Sequence, residues 1–167
     1  MALLHILEYP DPRLRLTATA VERVDAAVRR LIDDLFETMY DAPGYGLAAN
    51  QVDIPKRLIV LDISERRQSP VCLVNPVITR QSGSAMMDEG CLSVPGVFEC
   101  VERAARIQVS ALDRDGKTID LEADGLLATC IQHEVDHLDG KLFIDRIAGP
   151  RRRQIDRKFA GQLAPSM

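Results

Sequence analysis

The segment IQHEVDHLDG, residues 131–140, holds two of the chain's three histidines four positions apart, with a glutamate directly after the first. On an α-helix, residues i and i+4 stand one above the other on the same face, so His133 and His137 can both turn a ring nitrogen toward one metal ion. Glu134 is rotated by about 100° from His133 and can reach a water on that ion without becoming a ligand. A fold that uses this pattern must present 131–138 as a helix and bring a third ligand to it from elsewhere. A catalytic site of this kind takes three protein ligands and keeps a fourth position open.

The rest of the chain supplies helices and strands around that segment. Asp25 is a plausible N-cap for AAVRRLIDDLFETMYDA (26–42), where Val28, Leu31, Ile32, Leu35, Phe36 and Met39 fall at helical spacing opposite Arg29, Arg30, Asp33, Asp34 and Glu37. This amphipathic helix stops at APGYG, where Pro43, Gly44 and Gly46 open a loop. RLIVLDI (57–63) and VCLVNPVI (71–78) read as strands, and ARIQVSALD with KTIDLEA reads as a hairpin about the turn Asp115-Gly116. Asp124 and Gly125 open the histidine helix over LLATCIQHEVDHL, which Gly140 can terminate, and GPRRRQIDRKFAGQL (149–163) reads as a last, basic helix after Pro150. With no repeat or linker, 167 residues of 46% hydrophobic content form one expected domain over 1–167.

Charge and composition exclude several partners. A net charge of -4 argues against a global grip on DNA or an anionic membrane, and no stretch approaches the ~18 to 20 apolar residues of a membrane span. MALLHILEYP lacks a basic n-region and reads as mature protein, so the expectation is a cytoplasmic protein whose four cysteines stay reduced. Those thiols are then core residues or metal ligands.

The third ligand is sought by elimination among patterns of H-E-x-x-H hydrolases. One peptidase layout needs a histidine six residues after His137, where this chain has Phe143; another needs a downstream glutamate, and none follows Glu134. Asp145, Asp156 and His5 remain as minor candidates. Cys130 precedes His137 by seven residues, about 10.5 Å along a helix axis, whereas ligands of one metal lie only about 4 Å apart, so it is excluded. Cys72 and Cys100 occupy apolar, strand-like contexts that suit small buried hydrophobes. Cys91 lies in DEGCLSVPG, whose glycines and proline can bend the backbone around a ligand; it is favoured, with the other two still open.

In this order, GYGLAANQ (44–51), EGCLS (89–93) and HEVDH (133–137) resemble the three signature motifs of the peptide deformylase family in its bacterial form. The likeness runs from YPDPRLR to about residue 147. It implies that Cys91, His133 and His137 hold one divalent metal, ferrous iron natively, with zinc, nickel or cobalt able to occupy the site in a preparation. It implies further that Glu134 serves as general base and then acid, and that Gln51 and the backbone N–H of Leu92 hold the developing oxyanion. The reaction so implied is hydrolysis of a linear formamide: hydroxide generated on the metal attacks the formyl carbon of an N-formylmethionyl nascent peptide, releasing formate and a free methionine amine.

Leu126, Thr129 and Cys130 lie one and two turns before the histidines and can line a slot for methionine, with plain core packing as the alternative. By resemblance, the stretches around Gly44, Tyr45 and Gly46 and around Met87, Glu89 and Gly90 pair edge-on with the extended substrate. The chain departs from the family in carrying Tyr45 where an aliphatic residue is commoner, and Phe98 where some bacterial members have a basic residue. Arg103 is expected to brace the cysteine loop by pairing with Glu89.

The basic stretch with Arg151, Arg152, Arg153, Arg157 and Lys158 reads first as a solvated helix face, and in second place as a contact for ribosomal RNA. The expected whole is a monomeric α+β protein, short antiparallel sheets packed around the central histidine helix, with an N-terminal amphipathic and a C-terminal helix. Two other readings stand beside it: a metallopeptidase indifferent to the formyl group, and a non-catalytic module with a structural metal.

Overall fold

The computed structural model describes residues 2–162; Met1 and 163–167, including the last residue of the expected basic helix, lie outside the described residues. Helix α1 spans Ala26–Asp41, and its N-cap Asp25 accepts a hydrogen bond from the Val28 amide at 3.0 Å. Strands β1 (Gly46–Ala48), β2 (Leu58–Leu61), β3 (Val71–Ser82), β6 (Arg106–Leu112) and β7 (Thr118–Asp124) form an antiparallel sheet in the order β1-β2-β3-β6-β7. Strands β4 (Ala85–Cys91) and β5 (Val94–Arg103) make a separate two-stranded sheet. Helices α2 (Gly125–Leu138) and α3 (Gly149–Phe159) complete an α+β fold.

Strand β2 shows why the sheet lies between two helices. All four of its residues are buried. Ile59 and Leu61 pack with Ile131, Val135 and Leu138 of α2, whereas Leu58 and Val60 pack with Ile32, Leu35 and Met39 of α1. A strand covered on both faces has no polar alternation, which is why LIVL reads as an unbroken apolar run. Each such fully buried side chain contributes about 1.5–3 kcal/mol. Helix α2 is therefore held against a rigid sheet, and ten of its residues are buried, including the polar Gln132, His133, Glu134, Asp136 and His137.

A third cluster joins Val94, Val97 and Val101 of β5 to Phe143, Ile144 and, from α3, Ile155 and Phe159. It fastens the β4–β5 hairpin beside α2. The hairpin turns at Leu92-Ser93, with Cys91 opposite Val94 and a register shift between Gly90 and Cys91. The bend expected around the cysteine is thus the tip of a strand pair.

Two sequence expectations change. Strand β3 runs beyond residue 78 and through Pro76, because a register shift between Val74 and Val77, with Asn75 at φ 53°, releases the ladder where proline has no N–H. Cys100 is exposed, not a buried hydrophobe. Only one face of the hairpin is covered; Val101 and Arg103 point into it, and Cys100 and Glu102 point out. Among the described residues no helix is long and apolar enough to cross a membrane.

Candidate metal centre

Three elements converge at the end of the large sheet. Helix α2 carries His133, Glu134 and His137, the hairpin tip carries Cys91, and a 3-10 turn at Ala49–Val52 carries Gln51. One ligand atom from each of Cys91, His133 and His137 lies within 4.8 Å of the others, and Cys91 Sγ is 3.3 Å from His137 Nε2. Ligands about 2.0–2.3 Å from a tetrahedral ion are about 3.5 Å apart, so this spacing suits one metal ion with modest adjustment. The other sequence candidates do not reach this group: Cys72, Cys100, Cys130, His5, Asp145 and Asp156 are absent from it.

The ligand orientations are set by a buried network. Glu89 Oε1 lies 2.9 Å from His133 Nδ1, which places the proton on Nδ1 and leaves Nε2 as the lone pair. Arg103 donates to Glu89 at 2.6 and 2.9 Å and to Asp136 at 2.9 Å, and Arg146 donates to Asp136 at 2.9 and 3.2 Å. The Arg103 and Glu89 side chains are 1% and 4% exposed, so their charges must neutralise one another. Burial pushes the Glu89 carboxyl up, but hydrogen bonds from His133 and Arg103 outweigh it and hold it below the usual range. The expected Glu89–Arg103 pair is therefore present, extended by Asp136.

The remaining polar groups differ in their protonation. Burial, reinforced by the charges of His133 and Arg103, pushes His137 well below its usual value, giving the neutral imidazole that binds metals. Burial opposes protonation of His133 too, but bonding to Cys91, the charge of Glu134 and the bond to Glu89 carry it well above its usual value. A metal ion taken up here would displace that proton. Glu134 is pushed up to about 7, first by burial, with His133 and Arg103 opposing. Its buried Oε1 has no hydrogen-bond partner among the described residues, an acceptor left for a group that enters the site.

Beside the metal group, Gln51 is 1% exposed and fixed at both ends of its amide. Its Oε1 accepts from the Ala48 amide at 2.9 Å, and its Nε2 donates to Ser93 Oγ at 3.0 Å and lies 3.8 Å from Cys91 Sγ. Gly46 leaves room for the glutamate, since a Cβ there would come within 2.7 Å of Glu134 Oε2.

Of these groups, Gly46, Gln51, Glu89, Cys91, His133 and Glu134 line one cavity of about 690 Å3. Gly44, Tyr45 and Gly46 line one side, Glu89, Gly90, Cys91 and Leu92 the other, and Leu126, Thr129, Cys130, His133 and Glu134 the floor. Met87 is not among the residues that line the cavity; it shares the strand face of Glu89 and Cys91, and its sulfur accepts from the Thr129 hydroxyl at 3.2 Å, beside the floor. Sequence reasoning missed Asp136, Ser93 and Asn50, whose amide donates to the His137 carbonyl at 2.9 Å. Asp136 and Ser93 stand inside the quoted motifs, but nothing in the sequence shows their partners.

Comparison with known proteins places the chain in a family. Residues 3–153 match the family model described as polypeptide deformylase. The chain is 56% identical over 158 residues to a peptide deformylase of Nitrosococcus oceani, covering 95% of each chain. It is 53% identical to peptide deformylase 1 of Pseudomonas syringae pv. tomato, covering 97% of each. A crystal structure of a peptide deformylase from Legionella pneumophila superposes with a TM-score of 0.90 at 44% identity, over 98% of this chain and 100% of that one. One from Ehrlichia chaffeensis in complex with actinonin gives 0.92 at 40% identity, over 99% and 100%.

Proposed function

The chain belongs to the polypeptide deformylase family, and we propose that Cys91, His133, His137 and Glu134 make it a metal-dependent hydrolase of N-formylmethionyl nascent peptides. The observation that carries this reading is the approach of three ligand atoms to within 4.8 Å beside a buried glutamate, in a cavity flanked by two strand edges. Cys91, His133 and His137 would hold the ion, natively ferrous iron; the thiolate-imidazole set also suits zinc, nickel and cobalt. Such an ion, when bound, polarises a carbonyl oxygen and makes a nearby water acidic enough to ionise near neutral pH.

The chain's own residues perform the other tasks. Among the described residues β1 and β4 are each paired on one side only, with β2 and β5, so an extended peptide laid between them can bond to both edges near Gly44, Gly46 and Gly90. The methionine side chain enters between Leu126, Thr129 and Cys130. The Gln51 amide and the Leu92 backbone N–H face the oxygen on which charge develops, each such donor being worth on the order of 100- to 1000-fold in rate. Gln51 needs no reorganisation for this, because Ala48 and Ser93 already fix it. Glu134 takes a proton from water and returns it to the departing amine, tasks that suit a carboxyl near 7. The products are formate and a peptide with a free methionine amino group.

Residues 1–167 act as one catalytic domain, monomeric and cytoplasmic. On α3, Arg152 is paired with Asp145 and Asp156, Arg151 with Glu99, and Lys158 donates to the Gly96 carbonyl, which favours a helix face turned to its own protein and to solvent over a ribosomal contact. Equal salt-dependent co-sedimentation of intact and α3-deleted protein with ribosomes would agree. The site is tested by two variants assayed for metal content and formate release. Cys91→Ala should lose metal, and Glu134→Ala should keep metal and lose at least about 100-fold in turnover. A fully active Glu134→Ala would overturn the assignment of proton transfer.

A further inference from the structure

The wall of the cavity opposite the hairpin is built by β1, and it is held from behind by a loop, residues 62–70, that does not itself line the cavity. In the β1–β2 register Gly46 stands opposite Leu61, and the Asp62 amide donates to the Tyr45 carbonyl at 2.8 Å. Antiparallel ladders alternate bonded and non-bonded pairs, so Tyr45 is bonded toward β2 and Gly46 presents its N–H and C=O to the open edge. The direction of those two groups depends on how the backbone of Gly44 and Tyr45 is held.

The loop is folded around one carboxylate. Asp62 is 1% exposed; its Oδ1 accepts from the Ser64 amide at 3.0 Å and the Ser64 hydroxyl at 2.6 Å, and its Oδ2 from the Tyr40 hydroxyl at 2.6 Å and the Ser69 amide at 3.2 Å. These bonds close the loop on itself and bring Arg67, at φ 56°, against β1. A left-handed backbone is unfavourable for arginine and persists only where its surroundings over-determine it. The Arg67 guanidinium donates to the Asp62 carbonyl at 2.8 Å and to the Gly44 carbonyl, and it lies over the Tyr40 and Tyr45 rings, 5.1 and 5.4 Å from their centres. It is in no ion pair among the described residues, so its charge acts on these carbonyls and rings. An aliphatic side chain at position 45 would offer it no ring face.

We propose that Arg67 is a positioning residue: it clamps Gly44 and Tyr45 from behind, so that the Gly46 edge is aligned to pair with the peptide backbone from the formylated methionine onward. The inference rests on the deformylase reading and adds to it the residue that aligns the substrate's partner strand. The metal ligands, Glu134 and Gln51 lie on α2, the hairpin tip and the Ala49–Val52 turn, and none of them is a partner of Arg67. Its loss therefore acts on how well a longer peptide is held, and spares proton transfer and the metal.

The test compares formate release from N-formylmethioninamide, which has little backbone to lay along β1, with that from formyl-Met-Ala-Ser amide, in protein of measured metal content. The wild type should favour the tripeptide in kcat/KM. Arg67→Ala should cut that preference by about five- to fiftyfold, the equivalent of one or two backbone hydrogen bonds, chiefly through a higher KM for the tripeptide. Its kcat and metal content should stay within about twofold of the wild type. Arg67→Lys, which keeps the charge and a donor but not the planar stack, should recover part of the preference. In a Tyr45→Ile background, Arg67→Ala should cost less than in the wild type, because one stacking partner is already gone. An equal fall for both substrates, or loss of metal, would show a merely structural role and overturn the proposal. A preference unchanged by Arg67→Ala, or a wild type that treats the two substrates alike, would overturn it too and leave the deformylase reading standing. No formate from either compound would overturn the deformylase reading, and the positioning role with it.

Discussion

Replacing Arg103 by methionine should damage both stability and the metal centre, and by a calculable amount. The Arg103 side chain is 1% exposed and supplies three hydrogen bonds of 2.6–2.9 Å to Glu89 and Asp136. Methionine fills most of the volume but leaves Glu89, 4% exposed, with only His133 as partner. Breaking a buried pair from one side costs about 3–5 kcal/mol, because the remaining charge stays in a dry site. At about 2–4 °C per kcal/mol for a chain of this size, the melting temperature should fall by about 6–20 °C. Glu89 also orients His133, so metal affinity should fall by about 10- to 100-fold. Thermal melting of the metal-free protein and metal-competition titration read the two effects separately. Arg114→Ala, which breaks the exposed pair with Asp33, is the control and should shift the melting temperature by no more than about 4 °C. If Arg103→Met melted within that same range and kept its metal affinity, the view of this network as the support of His133 would be wrong.

Two further perturbations follow from the same geometry. Gly46→Ala places a Cβ within 2.7 Å of Glu134 Oε2, so the carboxylate must move by about an ångström; kcat should fall by about 100-fold with metal content unchanged, and normal turnover would refute the crowding argument. Glu134 gives a pH signature in the metal-free protein. Its carboxyl is raised to about 7 when folded, so below its unfolded value near 4.5 the group costs nothing; as pH rises through 7 the native state loses stability, by about 3 kcal/mol once ionised. Denaturant titrations of the wild type and Glu134→Gln should therefore diverge in favour of the variant between pH 4 and pH 8. A difference independent of pH would contradict the burial of that carboxyl.

The sequence made some features legible because their causes are local. The spacing of Val28, Ile32, Leu35 and Met39 and the cap at Asp25 define α1, and Asp115-Gly116 marks the turn between β6 and β7. The histidine pair needed only the helical repeat. The β4–β5 sheet was less visible, since its glycines and proline read as a bend, and its register is set by pairing with residues up to eighteen positions away. Asp136 lies between the two histidines with no local signal of its role; its burial depends on Arg103 and Arg146 arriving from other elements. Arg67 gave no signal either, although its guanidinium lies over the Tyr40 and Tyr45 rings at 5.1 and 5.4 Å and bonds the Gly44 carbonyl at the cavity rim. Such partners are chosen by tertiary packing, which no local pattern encodes.

The central claim is most directly tested by following formate and new amino groups together, with protein loaded anaerobically with iron(II) and a formyl-Met tripeptide. Anaerobic loading matters because a ferrous thiolate site is prone to oxidation. The account predicts one formate and one amine per turnover, and no cleavage of the same tripeptide without its formyl group. Amines released without formate, or cleavage of the unformylated peptide at its internal bonds, would contradict it and identify a peptidase instead.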